Sequence, residues 1–220
     1  MNNEDQAQLR VRSEQLDYNE DGLYCYEGKP FTGIEVFEKN GWLQGEHELR
    51  QGVKWGRQRS WHRPGVPEEE AECAWGGYHG SVRKWHWNGQ LALEGDYEHG
   101  IRVRAKEWDE EGKLTDDYTI QPTDSWCDTL QMYRCFYGDP RRPFVADPAW
   151  LAWNDGMLVK MAQAIFDDKA ADRMPILADA LIDAGCTNQY MLQHCRAGVH
   201  VPCCWVLGVL LGKGFAPDEV

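Results

Sequence analysis

Glycine recurs through the first half of this 220-residue chain with a period that leaves few folds open. Gly41, Gly65, Gly89 and Gly112 lie 24, 24 and 23 residues apart, and Gly28, Gly52, Gly76 and Gly100 keep a second register at intervals of 24. A unit of that length is one supersecondary element whose apolar face it cannot bury alone, so successive units must stack. Inside a unit, Asn40-Gly41 or Asn88-Gly89 separates two runs of alternating apolar and polar residues, the signature of a β-hairpin closed by a tight turn. On the second strand of the third unit, Leu91, Leu93 and Tyr97 share one face by the period of two, and Glu94 and Asp96 take the other.

The charges repeat with the glycines. Glu46, Glu70 and Glu94 align at steps of 24, as do Glu48, Glu72 and Asp96, while Arg57, Arg59, Arg83, Lys84, Arg102, Arg104 and Lys106 stand on the first strands. Two readings stay open. The face is either a solvated surface of internal ion pairs, each worth about 0.2–1 kcal/mol, or an acidic ridge that meets a partner. Trp61, Trp85 and Trp108 hold equivalent positions and are expected to pack between hairpins. Trp55, Trp75 and Trp87 fall less regularly and are candidate anchors at an interface, where aromatics dominate binding energy.

The order Gly, aromatic, Asn-Gly, Leu, Glu, Tyr, Gly over residues 22–121 resembles the bacterial variant of the MORN-type repeat. That resemblance implies non-enzymatic contact surfaces in proteins of antitoxin-like or immunity-like role. The match is imperfect: Pro67 stands where the other units have Leu, and Arg104 where a unit-opening Gly is expected.

Composition shifts near residue 122, where tryptophan and glycine thin out and Ala, Leu and helix-starting prolines take over, which predicts a second module. Both parts are acidic within a formal net charge of −13. Such a surface repels phosphate backbones and anionic lipids, disfavouring nucleic-acid and membrane binding and favouring a basic protein partner. The first 22 residues lack the pattern of a signal peptide, and the apolar run 201–211 is too short to span a bilayer, so a cytoplasmic location with reduced thiols is expected.

In the second module, Asp147-Pro148 reads as an N-cap with proline in the first turn, and Asn154-Asp155-Gly156 interrupts the helix it starts. Leu158, Met161, Ala162 and Ile165 then form a buried stripe. Pro175 opens a helix with Ile176, Leu177, Ala180 and Leu181 inward and Gly185 at its end; further short helices are expected over 188–196 and 202–211. Residues 150–213 also resemble an uncharacterised helical module of large multi-domain bacterial proteins, which implies a fold and no activity. Cys186, His194, Cys195, His200, Cys203 and Cys204 crowd this stretch, and thiolates with imidazoles suit tetrahedral zinc, with Cys186, Cys195, His200 and Cys204 as the ligand set. No Cys-x2-Cys knuckle supports that site, so buried thiols without any cofactor are the competing state. A Cys–His nucleophile lacks a recognisable turn or oxyanion loop.

The chain is therefore expected to be α+β: a polar segment 1–21, hairpin repeats 22–121, an aromatic segment 122–147 that caps the sheet edge, and a helical bundle 148–220. The expected function is non-catalytic protein binding through an acidic, tryptophan-bearing sheet. A zinc-stabilised scaffold or regulatory subunit is the alternative, and a Cys/His enzyme a third.

Overall fold

The computed structural model describes residues 8–139, 144–197, 200–201 and 204–213. The chain is α+β and divides into two compact units, Met1–Asp124 and Ser125–Val220.

The first unit contains strands β1 (Arg10–Arg12), β2 (Asp17–Tyr18), β3 (Tyr24–Tyr26), β4 (Lys29–Pro30), β5 (Gly33–Lys39), β6 (Trp42–Arg50), β7 (Val53–Arg63), β8 (Val66–Ala74), β9 (Gly77–Trp85), β10 (Leu91–Glu98), β11 (Ile101–Trp108) and β12 (Leu114–Thr119). From β5 to β12 the strands pair antiparallel in sequence order, and β2–β3–β4 form a small separate sheet. The large sheet is mixed because β1, inside the segment read as merely polar, pairs parallel with β5.

Two kinds of turn close the hairpins. At Asn40-Gly41, Gln51-Gly52, Trp75-Gly76 and His99-Gly100 both residues have positive φ, the mirror-image geometry that matches strand twist. At Gly89 and Gly112 only the glycine of the pair is left-handed, and its N–H donates to the carbonyl of His86 (2.8 Å) or Asp109 (3.0 Å). The glycines of the second register also tie neighbouring repeats. Gly52, Gly76 and Gly100 donate their N–H to the carbonyls of Phe31, Lys54 and Tyr78 at 2.8–3.0 Å.

Cross-strand register then sorts the side chains. One face carries the row Glu35, His47, Gln58, Ala71, Val82, Gly95, Ala105 and Tyr118, one residue from each of eight consecutive strands. Its middle is made of small residues that are nearly inaccessible, Ala71 at 3% and Val82 at 0% exposure. A compact apolar cluster of Val11, Phe31 and Leu49, with Leu16, Tyr24 and Tyr26 against it, closes the amino-terminal end.

The second unit contains α1 (Ser125–Tyr137), α2 (Pro148–Asp168), α3 (Met174–Asp183), α4 (Gln189–Arg196) and α5 (Trp205–Leu211). Asp147 caps α2 by accepting the Ala149 N–H at 2.8 Å, and the helix breaks at Trp153–Gly156, where Asn154, Asp155 and Gly156 are left-handed. Leu158, Ala162 and Ile165 are buried as their spacing requires. In α3 the inward face is Leu177, Ala178, Ala180 and Leu181, whereas Ile176, expected inside, is 59% exposed. Its place one residue ahead of Leu177 turns it about 100° away from the core. Gly185 ends this helix in the left-handed region.

Segment 122–147, expected to cap the sheet, contributes α1 to the helical unit, where Cys135 joins the core built around Leu158, Leu177, Leu181, Met191 and Leu210. The Pro140–Pro143 stretch of that segment, Gly198, Pro202 and Cys203 lie outside the described residues. The described cysteines are all free thiols. No helix among the described residues is long and apolar enough to cross a membrane.

Candidate functional site

The six recurrent acidic residues occupy one face of the large sheet, but they do not form an acidic ridge. Register places Glu46 opposite Arg59, Arg59 opposite Glu70, Glu70 opposite Arg83, Arg83 opposite Glu94, Glu94 opposite Lys106 and Lys106 opposite Asp117. Charge therefore alternates across seven strands. Arg59 meets Glu46 at 2.5 Å, Arg83 meets Glu94 at 2.7 Å and Lys106 meets Asp117 at 3.5 Å. In the next row Arg57 faces Glu72, Arg104 pairs with Asp96, and Glu48 accepts the Arg57 backbone N–H at 3.1 Å. Glu46, which also pairs with Arg10, is buried on this face. Its carboxyl would be raised by burial, but the hydrogen bonds and charges of Arg10 and Arg59 hold it below its ordinary range. A ladder of this kind satisfies itself and leaves little net field for a partner.

The opposite face is hollowed. A groove of about 490 Å³ runs beside Glu35, Phe37, His47, Ser60, Glu68 and Trp87. A second hollow of about 360 Å³ shares His47 and Ser60 with it and reaches Tyr78. Glycine at Gly45 and the small Ser60, opposite each other in register, make the floor. Two large apolar groups stand at the groove exposed, Phe37 at 43% and Trp87 at 61%. Glu35 is buried and its Oε2 lies 2.9 Å from His47 Nδ1. Burial would raise this carboxyl, yet hydrogen bonds from His47 and Ser13, with the charges of His47 and Lys54, outweigh it and hold the group below its ordinary range. Charged residues lining the groove are carboxylates, Glu35 and Glu68, with no lysine or arginine among the described lining residues.

The other candidate anchors lie elsewhere. Trp55 and Trp75 meet edge to face at 5.8 Å, Trp75 stacks on His99 at 5.5 Å, and Arg50 lies 4.9 Å from the Trp55 ring centre. Both rings are half-buried, so they pack along the second-register turns. Trp87 is the exposed one, touching His62 at a ring separation of 5.1 Å.

In the helical unit four potential ligands converge: Cys135 at the end of α1, His194 on α4, and His200 and Cys204 just before α5, with ligand atoms all within 4.8 Å of one another. Cys135 Sγ lies 3.6 Å from His200 Nδ1 and accepts the Val201 N–H at 3.2 Å; His194 Nε2 lies 3.2 Å from Cys204 Sγ. Hydrogen bonding with Cys204 holds the Cys135 thiol below its ordinary range against its burial, and His194, His200 and Val201 add to this. The same bond, with burial and the charge of Cys135, pushes the Cys204 thiol up. Of the ligand set expected from sequence, His200 and Cys204 are in this cluster, and Cys186 and Cys195 are not. Those two thiols sit in the apolar core, where burial raises Cys186 and pushes Cys195 up to about 12. His194 was in view beside Cys195; Cys135, 65 residues before His200, carries no local signal of its role.

Neither a protein-family model, nor a curated protein, nor a solved structure matches this chain.

Proposed function

We propose that this protein is a non-catalytic binding module and that the hollowed face of its repeat sheet receives a basic side chain of a protein partner. The observation that supports this most is the groove at Glu35. It combines a buried carboxylate, a second acidic lining residue and exposed Phe37 and Trp87 in one concavity, with Lys54 and Arg59 in the adjoining hollow. A lysine or arginine entering it would set its charge near Glu35 and lay its aliphatic stem along Trp87, where cation–π attraction adds about 0.5–2 kcal/mol. The face expected to bind from sequence alone, with Glu46, Glu70 and Glu94, is internally paired and serves cohesion instead. An immunity-like or antitoxin-like role, implied by the MORN resemblance, is the concrete form of this reading.

Ser60 and His47 share the groove, and His47 Nδ1 is directed to Glu35 at 2.9 Å. The test is co-expression with the products of adjacent genes, followed by affinity capture at low and high salt. Salt-sensitive capture of one basic product, weakened about tenfold or more by Trp87→Ala, supports the reading. Capture unaffected by Trp87→Ala and Glu35→Gln, or no capture of any adjacent product, contradicts it.

A further inference from the structure

We infer that Cys135, His194, His200 and Cys204 form a structural zinc site that ties together three separate parts of the helical unit. The ligands come from the end of α1, from α4 and from the segment leading into α5, so only the tertiary fold assembles them.

The geometry suits the ion. Tetrahedral zinc with bonds of about 2.3 Å to sulfur and about 2.0–2.1 Å to nitrogen sets its ligands roughly 3.3–3.8 Å apart. Two contacts lie in or next to that range, 3.6 Å for Cys135 Sγ to His200 Nδ1 and 3.2 Å for His194 Nε2 to Cys204 Sγ, and all four ligand atoms lie within 4.8 Å of one another. Two thiols and two imidazoles are the donor set of many closed zinc centres, and four protein ligands leave no position for a substrate, which makes the site structural. Shielding is also in place. Cys135 and Cys204 are fully buried, and the rings of His194 and Trp205 lie 5.4 Å apart. The Val201 N–H that points at Cys135 Sγ is an outer-shell hydrogen bond of the kind that orients and stabilises a zinc thiolate.

With zinc on His200 Nδ1, the nitrogen that faces Cys135, the ring proton sits on Nε2, which is buried with no hydrogen-bond partner among the described residues. Cys186 and Cys195 lie in the same unit, one of them next to His194 in sequence, and are outside the cluster of four.

The experiment uses the full chain, expressed with added zinc and purified in reducing, chelator-free buffer. Elemental analysis is expected to give about one zinc per chain, because the site forms only on folding and then holds the ion tightly. X-ray absorption at the zinc edge should report two sulfur and two nitrogen neighbours, and cobalt substitution should give tetrahedral absorption with thiolate charge-transfer bands. Cys135→Ser and His194→Ala should remove the metal; Cys186→Ser with Cys195→Ser should retain it. Should the ligand variants fail to fold, the absorption shell and cobalt spectrum of the unaltered chain decide. Zinc below about a tenth of an equivalent, an oxygen-rich shell, octahedral cobalt, or a Cys135–Cys204 disulfide in reducing buffer would overturn the assignment.

Discussion

His62 Nε2 lies 2.8 Å from the carbonyl oxygen of Trp85, and 24 residues further on His86 Nε2 makes the same 2.8 Å contact with the carbonyl of Trp108. The acceptor is a carbonyl, so Nε2 carries the proton. Each histidine thus staples the first strand of one hairpin to the corresponding strand of the next, at the repeat length itself.

Removing a staple takes one hydrogen bond from a part-buried carbonyl. His86→Ala is expected to destabilise the sheet unit by about 1 kcal/mol, and His86→Gln, which can still donate, by less. Urea denaturation followed by tryptophan fluorescence measures both. Equal losses would mean that ring packing rather than the hydrogen bond matters.

The charge ladder makes a second prediction. Arg83 stands between Glu70 and Glu94, and Arg83→Glu would align three carboxylates on adjacent strands. Since these groups are largely exposed, the expected loss is about 1 kcal/mol, shrinking in high salt. The double reversal Arg83→Glu with Glu70→Arg should recover part of it. A loss independent of salt would argue against the ladder.

Acid titration tests the two buried carboxylates. Glu35 and Glu46 both have pKa values held below that of an ordinary glutamate in the folded chain. A lowered folded-state pKa contributes stability that is complete above the unfolded value, about 4.3, and is lost as pH falls through the folded value. The urea midpoint of the sheet unit should therefore fall on acidification below about pH 4.3, and Glu46→Gln should flatten that dependence while lowering the midpoint at neutral pH. An unchanged slope in the variant would remove Glu46 from the account.

Equivalent turn glycines are not energetically equivalent. Gly52 and Gly100 both have strongly positive φ, +77° and +80°, but a Cβ on Gly52 would lie 2.8 Å from the Tyr24 carbonyl oxygen while one on Gly100 would meet open space. Gly100→Ala should cost about 1–2 kcal/mol from backbone strain alone, and Gly52→Ala measurably more. Comparing urea midpoints of the two variants checks this, and equal losses would contradict it.

Much of the sheet is legible in the sequence because a 24-residue period puts residues such as Glu46, Glu70 and Glu94 on the same face. Their pairing was less legible. Whether Arg83 neutralises Glu70 and Glu94 or leaves them as a ridge depends on cross-strand register, which the bulges in β7 and β10 shift locally. The groove carries no sequence signal because Glu35, His47 and Ser60 come from three strands and match no repeat position that carries a motif. In the helical unit, cysteine and histidine crowd between residues 186 and 204, and the cluster of four shares only His200 and Cys204 with the set expected from sequence. Adjacent residues on a helix point about 100° apart, so His194 turns to the cluster while Cys195 turns to the core, and Cys135 is supplied by a helix distant in sequence.

The central claim is that the hollowed face, not the charged one, binds a basic group. Nitrogen-15 NMR of the full chain titrated with an acetylated triarginine peptide tests it most directly, with acetylated triglutamate as control. The expected result is a salt-sensitive shift of the Trp87 indole N–H and the His47 ring with triarginine only, abolished by Glu35→Gln. Shifts confined to Arg59, Arg83 and the other ladder residues, or none beyond those of the control peptide, would contradict it.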